Sequence, residues 1–196
     1  MTNNVERRDY AATFTAPTEE TRTLAGHAAV FGSPSNVLFD RAFGDFTEIV
    51  APGAFARTLA SGHNIFALWS HDTAQPLGST AGGKLTLRED ETGLAFDLDT
   101  ARFTPAQLDA AADGELRMSF GFSVVRDDWS TDADGKPVRT LIDVDLYEVS
   151  PVINPAYESS TAALRSYEQW EEQRVNAADN IRRKCEMNLK LITRRR

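Results

Sequence analysis

The sequence predicts a mainly β protein with a few peripheral helices, in the α+β class. Several short segments alternate apolar and polar residues, which is the period of a half-buried strand. Clusters of Gly, Pro, Asn and Ser separate these segments at short intervals, as turns do in β-rich domains. Two stretches instead combine helix-start residues with alanines. Many short strands in one domain favour a closed or nearly closed barrel with short helices packed outside.

The composition is that of a soluble globular protein. Of the 196 residues, 41% are hydrophobic and 26% are charged. No stretch approaches the ~18 consecutive apolar residues of a membrane span, and the charged first residues do not resemble a secretory signal. We therefore expect synthesis in the cytoplasm and no membrane partner. Cys185 is the single cysteine, which excludes an internal disulfide framework and offers no metal-ligand set.

Composition and charge together divide the chain into three parts. Residues 1–20 are polar and mixed, and we predict a flexible N-terminal arm before a main domain over residues 21–166. Residues 167–196 carry 8 Lys or Arg and 5 Asp or Glu, a charge of +3, whereas the remainder of the chain has 13 and 24, a charge of −11. An acidic body argues against nucleic acid as the main ligand.

The last thirty residues predict a basic amphipathic helix. Apolar residues recur there at three- and four-residue steps, with charged residues between them. Such a helix either docks on its own domain or binds a partner as a tether, and the sequence leaves both open.

In the first half of the chain, residues 22–31 predict a strand that runs into a Gly-Ser-Pro turn. Residues 52–60 predict a short helix, because Pro52 suits the first helical position. Residues 64–70 predict a buried strand that ends at His71.

In the second half, residues 84–90 and 93–100 alternate clearly and predict a hairpin. Residues 104–112 predict a helix with Thr104 as N-cap. Residues 117–126 and 138–149 predict two long strands that pair across a turn at residues 132–137.

Ser119 is a candidate nucleophile on the first of these long strands. Alternation places Met118 and Phe120 on a core face, and Ser119 and Gly121 on the other face. Glycine within a strand often marks the close approach of a ligand or backbone, so a peptide could reach the hydroxyl over an open surface. The plain alternatives are a polar-face serine, and a glycine that makes room for a bulky neighbour.

His71 is a candidate general base. It continues the phase of Ile65, Ala67 and Trp69, and a strand end followed by a loop would keep it anchored yet reachable. A lone histidine is also often structural. His27 and His63, the other two histidines, have no feature that indicates function.

Glu148 is a candidate orienting carboxylate. It falls in phase with Ile142, Val144 and Leu146, and a carboxylate aligned with apolar residues is costly to bury unless it is hydrogen-bonded. A histidine N–H is a natural partner, because the carboxylate fixes the tautomer of the imidazole. Alternatively, Glu148 turns to solvent at the strand end.

Five groups of motifs, in order, resemble the tailed-phage prohead (capsid maturation) protease family, serine peptidases related in fold to herpesvirus assemblin. The resemblance covers roughly residues 20–165. The matching pieces are GHAAVFGSPS at 26–35, EIVAPGAFARTL at 48–59, LWSHD at 68–72 with PLGST at 76–80, LRMSFGFSV at 116–124, and LYEVSPVINPAYESS at 146–160.

The resemblance implies Ser119 as nucleophile and His71 as general base, in an assemblin-like barrel. The assemblin relatives use a second histidine as third member, but no histidine follows Ser119 here, and Glu148 is the natural replacement. No metal or cofactor is implied.

The implied activity is that of a serine endopeptidase of capsid maturation. It would cleave scaffold, the scaffolding segment of the capsid precursor and itself, inside the assembling procapsid in the host cytoplasm. Oligomerisation with its own copies is compatible with this, and residues 167–196 would be a tether or a removable segment.

There are three alternatives to this activity. A catalytically silent assembly module would keep the barrel for binding alone. A different serine hydrolase is disfavoured because Ser119 lies mid-strand rather than in a G-x-S-x-G elbow, and a metalloenzyme because the histidines form no H-E-x-x-H motif.

Overall fold

A computed structural model describes residues 5–10, 14–18, 21–40 and 44–153. Within them lie eleven strands, two α-helices and one short 3-10 helix. The strands are β1 (Glu6–Tyr10), β2 (Phe14–Thr15), β3 (Thr23–Val30), β4 (Leu38–Asp40), β5 (Gly44–Val50), β6 (Phe66–Trp69), β7 (Asp72–Ser79), β8 (Leu85–Glu89), β9 (Gly93–Asp99), β10 (Arg117–Thr131) and β11 (Pro137–Val152). The helices are α1 (Ala56–Ala60) and α2 (Pro105–Ala112), and the 3-10 helix spans Thr100–Arg102.

The larger sheet has seven strands and is built around the β10–β11 hairpin. Its order is β1-β10-β11-β5-β4, and β6 with β7 joins it on the same side of β11 as β5. The first part of β11 pairs in parallel with β5, and Glu148 and Val149 at its far end pair in parallel with Phe66 and Ala67 of β6. One long strand therefore connects β10, the strand that contains Ser119, with the strand that leads to His71.

The smaller sheet has four antiparallel strands in the order β2-β3-β9-β8. The apolar faces of the two sheets form one buried core, which explains why alternation was the dominant sequence signal. Its most buried aromatic side chains come from the turn before α1 and from β9 and β10, and they are Phe55, Phe96, Phe120 and Phe122.

Several predicted elements are confirmed. Residues 23–30 form β3, the β8–β9 hairpin is present, and β10 pairs with β11 across the predicted turn. Helix α2 begins as expected, because Thr104 caps it in a capping box with Gln107 and Pro105 occupies the first turn. Helix α1 begins at Ala56 rather than at Pro52, because residues 52–55 form turns instead.

The mainly β class is confirmed, but the strands described here form two sheets and no closed barrel. The expectation of a flexible arm over residues 1–20 is wrong for residues 6–10 and 14–15. They form β1 and β2, because β10 and β3 offer edges on which they pair. The predicted helix over residues 167–196 lies outside the described residues. Within the described ranges, no helix is long and apolar enough to cross a bilayer.

A β-bulge changes which way Glu148 faces. Gly121 of β10 lies opposite Glu148, but the next residue, Phe122, lies opposite Leu146, so Tyr147 is an extra residue in β11. Since directly opposed residues share a face, Leu146 points with Phe122 into the core, whereas Glu148 points to the face of Ser119. The prediction that Glu148 shares the face of Leu146 is therefore wrong, and the bulge is the reason.

A second irregularity near the start of β11 moves the core position by one residue. Asp127 lies opposite Leu141 and Arg126 opposite Asp143, which leaves Ile142 without a directly opposed residue. Leu141 is fully buried, whereas Ile142 is half-buried. The predicted core position of Ile142 is thus taken by Leu141.

Five charged side chains form a buried cluster that links β1, β5, β10 and β11. Arg139 Nη1 lies 2.8 Å from Glu6 Oε2, and Arg139 Nε lies 2.7 Å from Asp127 Oδ2. Arg8 lies 2.7 Å from Glu6 and 2.8 Å from Glu48. Buried charges are tolerated only when they are paired and hydrogen-bonded, so the cluster fixes how these four strands meet.

Candidate active site

His71 lies in the tight turn between β6 and β7. Trp69 pairs with Asp72, and the two residues between them, Ser70 and His71, have φ values of 50° and 61°. Positive φ at both central residues is the signature of a type I′ hairpin turn, which costs energy for residues other than glycine, Asn or Asp. His71 therefore does not continue the phase of β6 as predicted, but the turn still anchors it at the end of that strand.

The turn is tied to β11 on two sides. The Ser70 N–H donates to the Pro151 carbonyl at 3.1 Å. The Nδ1 atom of His71 lies 2.5 Å from Oε1 of Glu148, and both side chains are largely buried. A carboxylate at Nδ1 favours the tautomer with its proton on that nitrogen, so that Nε2 is left as the acceptor. This is the state of a histidine that can take a proton.

Gly121 makes room for the Glu148 carboxylate. A Cβ atom at residue 121 would lie 2.4 Å from Oε1 of Glu148 and 3.0 Å from its Cδ. Only glycine leaves this space, because the two residues lie directly opposite each other on β10 and β11. Of the two interpretations considered for Gly121, accommodation of a neighbouring side chain is the one that these contacts support.

The second oxygen of the carboxylate is also satisfied. Ser150 lies two residues beyond Glu148 on β11, and its hydroxyl donates to Oε2 of Glu148. Glu148 is thus held between a histidine and a hydroxyl rather than turned to solvent, which explains how a carboxylate is accommodated inside the sheet.

Ser119 lies on the same face as Glu148 but is enclosed. It pairs with Ser150 on one side and with Asp9 of β1 on the other, and its exposed fraction is 0%. Its hydroxyl donates to the Arg8 carbonyl at 3.0 Å. The prediction of an open surface over Ser119 is wrong, because β1, which the sequence suggested to be loose, pairs along this edge of β10.

Asp9 is a member of this neighbourhood that sequence reasoning missed. Burial raises the pKa of its carboxyl, while a hydrogen bond with Ser119 and the nearby His71 lower that pKa by less. Glu148 also acts on it, in the direction that raises the pKa. In the sequence, Asp9 is one of several acidic residues in a polar N-terminal segment, and this does not reveal a long-range strand pair.

The structure thus places the three predicted residues on neighbouring parts of one sheet. Glu148 and His71 are in direct contact, whereas the proton of Ser119 is directed to β1 rather than to the imidazole. His27 pairs instead with Asp90 at 2.9 Å on the surface, and His63 packs edge-on against Tyr147. Among the described residues, no group of three or more His, Cys, Asp or Glu side chains is placed to hold a metal ion.

Comparison with known proteins gives a match to a protein family. The profile of a protein family, caudovirus prohead serine protease, matches residues 10–173. This range contains Ser119, His71 and Glu148. No curated protein and no solved structure matches the chain.

Proposed function

Because the chain belongs to the caudovirus prohead serine protease family, we propose that it is a serine endopeptidase of phage capsid maturation with Ser119 as nucleophile. His71 acts as general base and Glu148 as the carboxylate that orients it. The observation that carries this assignment is the 2.5 Å contact between Nδ1 of His71 and Oε1 of Glu148, on the face of the sheet to which Ser119 also belongs.

The proposed reaction needs only groups of this chain and water. Nε2 of His71 accepts the Ser119 proton as Oγ attacks the peptide carbonyl carbon, and the imidazolium is stabilised by Glu148. The same proton then passes to the leaving amine, and water hydrolyses the acyl-enzyme by the reverse sequence of transfers. Positioned proton transfer of this kind contributes ~10²–10⁴ in rate.

Access to Ser119 requires a conformational step. A hydroxyl with an exposed fraction of 0% cannot meet a peptide carbonyl, and its contact with the Arg8 carbonyl must break before the proton can pass to His71. Strand β1 is the segment that makes this contact. We therefore infer that the enclosed arrangement is a resting state, and that β1 moves away from Ser119 before attack.

The proposed substrates follow from the family. We propose cleavage of scaffold, of the scaffolding segment of the capsid precursor and of the protease itself, inside the procapsid in the host cell. Residues 167–196 serve in this proposal as a tether or as a segment removed during maturation. Deletion of those residues without loss of packaging into procapsids would eliminate the tether role.

The decisive experiment incubates the purified protein with its own capsid precursor and maps the products by mass spectrometry. We expect cleavage by the wild type, and none by Ser119→Ala or His71→Ala. Two matched controls keep full activity: Ser123→Ala, a second serine on β10 whose hydroxyl bonds Tyr147, and His27→Ala, a second histidine paired with a carboxylate. Cleavage that survives in purified Ser119→Ala would overturn the assignment.

One observation favours a second candidate, a catalytically silent assembly module. The Ser119 side chain is buried and bonded to backbone, as a purely structural serine would be. In that case Ser119→Ala changes neither the processing of the precursor nor the yield of capsids. The same mass-spectrometric comparison separates the two functions.

A further inference from the structure

We propose that Ser150 is a positioning residue of the same site, which holds the Glu148 carboxylate in the orientation that His71 requires. This inference rests on the proposed function, and it adds a residue to which the family match assigns no role. Ser150 would extend the contact between His71 and Glu148 to a hydroxyl on the other carboxylate oxygen.

The contact is direct and enclosed. The Ser150 hydroxyl donates to Oε2 of Glu148, and the exposed fraction of Ser150 is 0%. Ser150 and Glu148 are two residues apart on β11, so their side chains share a face. The buried hydroxyl therefore supplies the hydrogen bond that water would otherwise give to Oε2.

Each oxygen of the carboxylate has its own partner. Oε1 receives the His71 Nδ1–H at 2.5 Å, and Oε2 receives the Ser150 hydroxyl. The missing Cβ of Gly121 leaves the carboxylate in a space that fits it closely. Two donors on opposite sides set the plane of the carboxylate, and a carboxylate with a fixed plane holds the imidazole plane in turn.

The backbone of the residue after Ser150 holds the turn that carries His71. Pro151, the following residue, accepts the Ser70 N–H at 3.1 Å. Consecutive residues of β11 thus fix the turn that carries His71 and the carboxylate that contacts it. Ser150 also lies directly opposite Ser119 on β10, so that it is next to both the proposed nucleophile and the carboxylate.

Removal of the hydroxyl would leave Oε2 buried with no donor. A buried acceptor without a partner costs more than the hydrogen bond itself, because the group was stripped of water on folding. The carboxylate then turns to share the His71 proton or to find another donor, and the imidazole turns with it. A serine that merely fills space would not have this effect.

The kinetic test compares Ser150→Ala with Ser150→Thr, which keeps a hydroxyl. We expect Ser150→Ala to lower kcat by ~10–100-fold with little change in KM, by analogy with the loss found when a hydrogen-bond partner that orients a metal ligand is removed. Ser150→Thr should recover most of the loss. Ser123→Ala, which removes the other β10–β11 hydroxyl contact near Tyr147, should leave kcat unchanged. An unchanged kcat in Ser150→Ala would overturn the proposal.

A double-mutant cycle with Glu148→Gln separates positioning from general damage to the fold. If Ser150 acts through the carboxylate, Ser150→Ala costs far less in the Glu148→Gln protein than in the wild type. If Ser150→Ala lowers kcat by the same factor in the wild type and in the Glu148→Gln protein, Ser150 does not act through the carboxylate and the proposal fails. Circular dichroism and thermal melting of all four proteins establish that each one is folded.

An independent readout does not depend on proteolysis. In Ser119→Ala protein, the proton on Nδ1 of His71 can be followed by NMR as a far-downfield signal, which reports the strength of its contact with Glu148. We expect Ser150→Ala to shift or broaden this signal and Ser150→Thr to restore it. If the signal is insensitive to Ser150, the positioning role is wrong even where the enzyme is active. If the signal responds but no precursor is ever cleaved, the proposed function fails and the contact stands.

Discussion

Nδ1 of His71 lies 2.5 Å from Oε1 of Glu148, whereas Nε2 of His27, on the surface, lies 2.9 Å from Oδ2 of Asp90. Both pairs join an imidazole to a carboxylate, but they differ in burial and in the nitrogen used. The buried pair leaves Nε2 for a reaction, and the exposed pair uses that nitrogen for the surface contact. This difference supplies a matched comparison for the catalytic assignment.

Glu148→Gln should lower kcat strongly without abolishing it. A glutamine amide can present its NH₂ group to Nδ1, which favours the wrong tautomer of His71, and the loss from such a change reaches ~10⁴-fold in a serine protease triad. Steady-state kinetics on a peptide substrate measures the effect. Asp90→Asn is the control and should leave kcat at the wild-type value, since Asp90 contacts His27 on the surface. Equal losses in both variants would contradict the role of Glu148.

Gly121→Ala should remove activity and destabilise the protein. The added Cβ would lie 2.4 Å from Oε1 of Glu148, so the carboxylate must leave its place beside His71. Such overpacking costs roughly 1–3 kcal/mol, which thermal and urea unfolding would measure. Gly135→Ala is a control with a comparable stability cost of ~1–2 kcal/mol, because Gly135 has a φ of 79° in a turn with open space around it. The control should stay active, and an active Gly121→Ala would refute the steric argument.

Exposure of Ser119 should be limited by the opening of β1. A fluorophosphonate probe reacts with activated serine hydroxyls, and we expect it to label Ser119 more slowly in Asp9→Asn protein, where β1 docks without a half-buried negative charge. Arg7→Pro should accelerate labelling, because proline cannot donate to the strand ladder. Hydrogen exchange of residues 6–10 should increase once Ser119 is labelled. Labelling at one rate in all three proteins would show that β1 does not control access.

Asp9→Asn should stabilise the fold at neutral pH and lose this advantage in acid. Burial raises the pKa of Asp9 in the folded state, so the folded protein binds this proton more tightly than the unfolded chain does. The resulting contribution to stability is complete below the unfolded pKa of about 3.9 and is lost as the pH rises through the raised folded pKa. Urea unfolding from pH 4 to pH 7 should show a difference that grows with pH. A stability difference between Asp9→Asn and the wild type that stays constant over this pH range would contradict a raised pKa for Asp9.

Arg139→Met should be among the most destabilising single changes. It removes the cation that contacts Glu6, Glu48 and Asp127, and it leaves an excess of negative charge in the buried cluster. Breaking a buried ion pair by removing one partner costs ~3–5 kcal/mol, to be measured by urea unfolding. Arg88→Met removes the surface pair with Asp97 and should cost at most ~1 kcal/mol. Similar losses in the free energy of unfolding for the two variants would mean that the buried cluster contributes little to stability.

Local signals in the sequence were sufficient to predict those helices and hairpins that are determined by residues close together in the chain. Helix α2 was predicted correctly because Thr104 and Pro105 determine its start within a few residues. The β8–β9 and β10–β11 hairpins were predicted because alternation and turn residues are both short-range features. Ser119, His71 and Glu148 became the candidate site residues once the motifs were considered together.

Features that depend on distant strand pairing were not predictable. The bulge at Tyr147, which turns Glu148 toward Ser119, exists only in the register between β10 and β11. Strand β1 has no strong alternation of its own, and its partner lies more than a hundred residues away. The burial of Arg139 was equally hidden, because a charged residue in a strand ordinarily indicates a solvent face.

Arg8 has two roles that pull against each other. Its guanidinium is locked among Glu6 and Glu48, while its carbonyl accepts the proton of the Ser119 hydroxyl. Any change that strengthens the ion pairs of the Arg8 guanidinium also makes the hydrogen bond between Ser119 and the Arg8 carbonyl harder to break. Stability of the fold and access to Ser119 therefore oppose each other at Arg8. Variants of β1 that are selected for heat resistance should be slower enzymes.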